Sequence, residues 1–153
     1  MTINDQLATL GIELTAAPGA KGSYLPTLVV DSLVYVSGTL PLIGDTLKVT
    51  GIVGDTVTIE EAQAGARQCM INMFSRLATD LGGLERIAQW VKLTGFVASA
   101  PGFTAQPTVM NAASDLVVEV FGDRGRHTRS AVGVSSLPLG TPVEIEAILR
   151  LEA

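Results

Sequence analysis

The chain has little of what most enzyme chemistry uses. It holds one cysteine (Cys69), one histidine (His127) and one tryptophan, and aromatics make up 5% of its 153 residues. A lone cysteine closes no internal disulfide, and one cysteine with one histidine cannot supply the usual ligands of a zinc site. Charge is also scarce: Asp, Glu, Lys and Arg reach 16%, against about a quarter in an average soluble domain. No apolar run approaches the roughly 18 to 20 residues of a membrane span, because Asp31, Asp45, Lys48, Asp55, Lys92, Asp115 and Glu119 interrupt it. The first residues lack the basic stretch and apolar region of a signal or transit peptide, so the expected location is cytoplasmic. The net charge is −5, and only Arg124, Arg126 and Arg129 cluster among the basic residues. Such an acidic field makes nucleic acid a poor partner. Phosphate loops, nucleophile elbows and paired metal histidines are missing too.

Apolar residues, by contrast, reach 47%. A single domain of this length buries roughly two thirds of its unfolded surface. So much apolar surface with so little charge points to a subunit interface as well as a core, since obligate interfaces resemble cores cut in half. A homo-oligomer is expected.

Periodicity outlines the elements. Residues 2–12 suit a short amphipathic helix with Thr2 as N-cap and Ile3, Leu7 and Leu10 on one side. Two strands, Leu25 to Val30 and Leu33 to Ser37, meet at Asp31-Ser32, and Leu47 to Val53 reads as another strand. From Thr58 the apolar positions Ile59, Ala62, Ala66, Met70, Met73, Leu77 and Leu81 recur in steps of three and four, with Thr58 and Glu61 as a capping box and Gly82-Gly83 as a stop. A strand over Trp90 to Ser99 follows, with Gly95 marking a close backbone approach. The next helix has Pro107 in its first turn, Val109, Ala113, Leu116, Val117 and Val120 as its buried face, and Gly122 as a left-handed stop. Thr128 to Ser135 and Val143 to Leu151 are the last strands. The order predicts an α+β two-layer sandwich, a mixed sheet with two helices on one face. Its other face is too apolar to remain in water, which again implies self-association.

Chemistry must come from a dispersed set. Arg129 opens one C-terminal strand and Glu144 the next; alternation places the small residues Ala131, Gly133 and Ser135 beside Arg129, leaving room for a ligand. A guanidinium above small side chains suits a carboxylate, held by two parallel hydrogen bonds. Residue types alone leave other readings open: Arg129 as a solvated or ion-paired surface group, Glu144 and Glu146 as one wet face, His127 as a loop residue. Cys69, Met70 and Met73 read as core, and Tyr24 as either a strand-start aromatic or a pocket wall.

The segments Thr128-Arg129-Ser130-Ala131-Val132, Leu137-Pro138 and Val143-Glu144-Ile145-Glu146-Ala147 resemble the RidA (YjgF) family, with weaker agreement at Gly22-Ser23-Tyr24, Val36-Ser37-Gly38-Thr39-Leu40-Pro41 and Asn111. The likeness covers residues 21–153 as the family domain and leaves 1–20 as an N-terminal extension, as in a longer, chorismate-mutase-like branch. It implies the fold of Bacillus-type chorismate mutase, a homotrimer with sites between subunits, and no metal or organic cofactor. It further implies hydrolysis of enamines and imines such as 2-aminoacrylate to 2-keto acids and ammonia. By the same resemblance Arg129 would hold the substrate carboxylate with the backbone N–H of Gly38, and Glu144 would position water with the carbonyl of Ala131. Tyr24 and Asn111 would line the pocket. The expected partners are a second and third copy of the chain and a small anionic imine or keto acid. Ala131 stands where many members have Cys, and Thr39 where Gln is common. A non-catalytic binding trimer, an endoribonuclease and a chorismate mutase are the other readings.

Overall fold

The computed structural model describes residues 1–19 and 22–153. In chain order it contains α1 (Ile3–Thr9), β1 (Thr27–Val30), β2 (Leu33–Thr39), β3 (Leu42–Ile43), β4 (Thr46–Leu47), α2 (Ile59–Leu81), β5 (Ile87–Ala98), α3 (Gln106–Phe121), β6 (Thr128–Val134) and β7 (Val143–Leu151). Capping starts two of the helices: the hydroxyls of Thr2 and Thr58 each accept from the backbone N–H three residues on, and Asp5 and Glu61 reach back to the cap N–H. Gly82, at φ 75°, ends α2 in the left-handed conformation. Gly122 ends α3 differently from expectation: its φ of 61° goes with a ψ of −136°, outside the left-handed helical region, and the chain tightens into a 3-10 turn over Gly122–Gly125.

The five-stranded sheet has the order β1-β2-β7-β5-β6. β5 and β6 are parallel and the other pairs antiparallel. The chain crosses from β2 through α2 to β5 and from β5 through α3 to β6, stepping across the sheet in the same direction both times. Right-handed crossovers then place both helices on one face, and β7 fills the gap between β2 and β5.

Beneath the helices Val34, Leu93, Val97, Ile145 and Leu149 are fully buried against Met70, Phe74, Leu77, Met110 and Val117. Burial of each such side chain contributes about 1.5–3 kcal/mol. Phe74, Trp90 and Phe121 meet edge to face with ring centroids 5.3–5.8 Å apart. Gly95 confirms the close approach read from the strand, since a Cβ there would overlap the Met110 side chain. The N-terminal residues add Ile3, Leu7 and Ile12 to the same core. No helix among the described residues is long and apolar enough to cross a membrane.

The strand expected over Leu47 to Val53 does not form. β3 and β4 make a tight hairpin around Gly44, and residues 48–57 continue as a loop, with Gly51 and Gly54 at positive φ breaking the extended run. Within that loop Val53 makes isolated bridges only, its N–H donating to Ala98 O and its carbonyl accepting from Ala100 N.

Candidate functional site

Arg129 sits near the start of β6, an edge strand, in register with Leu93 of β5. Leu93 points into the core, so the Arg129 side chain lies on the helix-covered face and meets α3. Asn111 and Ser114, one helical turn apart, project toward it. The Nη1 group donates to Asn111 Oδ1 at 3.0 Å and to Ser114 Oγ at 3.1 Å, and Nη2 donates to the carbonyl of Pro107 at 3.5 Å. All three acceptors are neutral. Among the described residues no carboxylate lies within ion-pairing distance of Arg129, whereas Arg76, Arg124 and Arg126 each have one. His127 completes the cluster, with Nε2 3.0 Å from Ser114 Oγ and Nδ1 2.6 Å from Gly125 O. Burial holds the imidazole below its ordinary pKa; the Gly125 hydrogen bond opposes that shift and the charge of Arg129 adds to it.

Glu144 belongs to a second cluster. It pairs with Phe96 across β5 and β7 and lies with Glu146 on the sheet face opposite the helices. Its carboxylate packs over Gly38 of β2: a Cβ at that glycine would stand 2.6 Å from Oε1. The ladder between β2 and β7 is irregular between Val36 and Thr39, which brings the Gly38 backbone under the carboxylate. Partial burial, and then the charge of Glu146, raise the Glu144 carboxyl above its ordinary pKa. That is the direction a group needs to exchange a proton nearer neutral pH.

The residues singled out from the sequence therefore fall into two groups. Arg129 and Asn111 touch, and Ala131 follows Arg129 on the same face, half-buried against the core. Gly38 and Glu144 touch. Tyr24 stands in the bend before β1, 58% exposed, and hydrogen-bonds to neither group. Arg129 and Glu144 are not on adjacent strands, as consecutive strands suggested: β5 lies between them, and within one chain their side chains are on opposite faces. Sequence reasoning missed Ser114, whose signal was its place one turn beyond Asn111. His127, read as a loop residue, does lie outside the strands, but its ring is engaged on both nitrogens.

The uncovered face carries a concavity of about 410 Å³ lined by Leu25, Leu28, Tyr35, Lys92, Glu146 and Ile148 among others. Leu28 and Tyr35 remain 49% and 43% exposed there, and Val132 42%. Cys69, fully buried in α2, has its thiol pushed well up by burial and then by Glu144, and serves as packing.

Residues 4–147 match the family described as "YjgF/chorismate_mutase-like, putative endoribonuclease". The protein TCP17 of Trypanosoma cruzi is 42% identical over 146 residues, 95% of this chain and 91% of its own. The crystal structure of Atu1372, a protein of unknown function from Agrobacterium tumefaciens, is 41% identical with a TM-score of 0.91, over 98% of this chain and 92% of that one. E. coli TdcF, crystallised with bound serine, is 25% identical with a TM-score of 0.65, over 93% of this chain and 98% of its own. With that match along nearly its whole length, on a mixed sheet backed by two helices, the chain belongs to the YjgF/RidA family, whose roles are in general of a small-molecule-binding or deaminase type.

Proposed function

We propose that the protein hydrolyses small enamines and imines of the 2-aminoacrylate type to 2-keto acids and ammonia. One observation carries the reading: Arg129 is held in place by three neutral acceptors, so its charge is fixed and not neutralised by the chain. A guanidinium arranged in this way favours an anionic ligand, and a carboxylate matches its geometry better than other small anions. Similarity to a protein crystallised with an amino acid supports a ligand of this size.

The chemistry asks little of the protein. The enamine tautomerises to the imine, whose C2 is electrophilic. Water adds to C2 as Glu144 takes one of its protons and passes it to the imine nitrogen, giving a carbinolamine; Glu144 then relays the hydroxyl proton to that nitrogen, the C–N bond breaks, ammonia leaves and the carbonyl forms. Glu144, with its raised pKa, suits both halves of that exchange. The backbone N–H of Gly38 would assist at the carboxylate, the carbonyl of Ala131 would hold the water, and Tyr24 and Asn111 would border the pocket.

Because Arg129 and Glu144 occupy opposite faces of one sheet, the site requires Arg129 from one copy and Glu144 from another. A homotrimer in which the uncovered, apolar faces turn inward would supply that pairing. The test is to generate 2-aminoacrylate with a dehydratase and follow keto-acid release. Acceleration by the wild type that Arg129→Ala abolishes supports the reading; equal rates with wild type, Arg129→Ala and no protein reject it. The same separation of Arg129 from Glu144 favours a second reading, a trimer that binds small carboxylates without turning them over. Stabilisation of the fold by a keto acid, with every imine at its background rate, would select it. Endoribonuclease action, named in the family description, fits poorly with a net charge of −5.

A further inference from the structure

The hydrogen-bond chain behind Arg129 has a definite direction. It starts at Gly125, whose carbonyl only accepts, so His127 Nδ1, 2.6 Å away, carries the ring proton. In the neutral ring Nε2 is then a lone pair, and Ser114 Oγ, 3.0 Å away, donates to it. A serine inside a helix otherwise tends to turn its hydroxyl toward the carbonyl four residues back; here the ring claims that proton. With the proton committed, the oxygen lone pairs are left for Arg129 Nη1 at 3.1 Å. Asn111 Oδ1 takes the second Nη1 hydrogen at 3.0 Å, and Pro107 O takes one from Nη2 at 3.5 Å.

A guanidinium has five N–H groups. Three are engaged, and the two left over are Nε–H and one on Nη2. Nε–H, which has no acceptor among the described residues, and the Nη2 hydrogen beside it form one edge of the plane, a fork that can donate to both oxygens of a carboxylate. Nη1 is closed by Asn111 and Ser114.

We propose that Ser114 and His127 are positioning residues that occupy Nη1 of Arg129 and so present its Nε/Nη2 edge to the carboxylate of a small 2-imino or 2-keto acid. The proposal rests on the reading of Arg129 as the carboxylate clamp. It adds two residues to the site and selects one of the possible orientations of the bound acid.

Two measurements test it. His127 is the only histidine, so the nitrogen chemical shifts of its ring are assigned without ambiguity. The Nδ1–H tautomer is expected at pH 7.5; an Nε2–H tautomer or a charged ring at that pH overturns the proposal. The second measurement is calorimetric titration with 2-oxobutanoate of the wild type, Arg129→Ala, Ser114→Ala, His127→Phe, His127→Gln and the double variant Ser114→Ala/His127→Phe. Each hydrogen bond lost from this chain should weaken binding about 5- to 10-fold. The double variant should be no weaker than the worse single one, because both act through one chain. His127→Gln, whose amide oxygen can stand in for Nε2, should recover most of the affinity. Should His127→Phe fail to fold, His127→Asn replaces it, since it can keep the bond to Gly125 while losing the acceptor for Ser114. Wild-type affinity in both single variants, with binding lost in Arg129→Ala, overturns the positioning role and leaves the clamp standing. No binding by the wild type, or equal binding by wild type and Arg129→Ala, removes the clamp and the proposal with it.

Discussion

The arginine cluster and the glutamate cluster are built on opposite principles. Arg129 is anchored by side chains and a carbonyl from α3, with the imidazole of His127 behind them, so its orientation is set before any ligand arrives. Glu144 makes no hydrogen bond among the described residues; it is held by packing over Gly38 and shifted by burial and by Glu146. The first arrangement suits recognition, which gains from a fixed donor fork, and the second suits proton exchange, which gains from a carboxyl that is neither ion-paired nor fully solvated. The chain keeps the two on separate faces of the sheet, with β5 between their strands.

The largest effects should come from separating the two functions. Arg129→Ala should bring keto-acid release to the background rate and Glu144→Gln should lower it about 100-fold or more, measured by the coupled assay. Mixing the two inactive variants one to one, with subunit exchange, should restore about a quarter of the wild-type rate if each site takes one residue from each of two copies. No recovery would show that the clusters do not meet across an interface. Next in size is Gly38→Ala: its methyl would push the Glu144 carboxylate aside, and a displacement on the order of 1 Å costs about 100-fold in rate. Keto-acid binding should persist, which calorimetry would show.

Stability should respond less and with opposite signs in the two clusters. The folded state holds Glu144 above its ordinary value of 4.5, so its contribution is present at low pH and is lost as pH rises through the folded pKa. Glu144→Gln should therefore melt above the wild type at pH 7.5, with the gap closing below about pH 4.5. His127 is held below its ordinary value of 6.5, so its contribution is present above that pH and is lost as pH falls through the folded pKa. His127→Gln should flatten that part of the melting profile, the smallest effect of the series. A Tm for Glu144→Gln that falls relative to the wild type as pH rises would contradict the burial of the carboxyl.

Much of this fold could be read along the chain. The repeat from Ile59 to Leu81 and its Thr58–Glu61 cap marked α2, and the strict alternation from Val143 to Leu151 marked β7, because in both cases one side of the element is buried along its entire length. The alternation also separated Glu144 and Glu146 from the core side. The stretch from Leu47 to Val53 misled because its apolar residues fill the gaps of a loop, and Gly51 at φ 129° cannot continue a strand. Ser114 and His127 escaped notice for another reason: a serine on a helix and a histidine beside an arginine have no pattern until α3 is laid against β6.

By itself the sequence determined the elements, their buried sides and the residue types available for chemistry, since periodicity and capping are local properties of the chain. Which strands become neighbours was decided only in three dimensions, where β7 entered between β2 and β5 and β5 came to separate Glu144 from Arg129. The direction of the Arg129 fork was likewise a tertiary outcome, because it depends on which acceptors α3 and the turn at Gly125 bring within hydrogen-bonding distance.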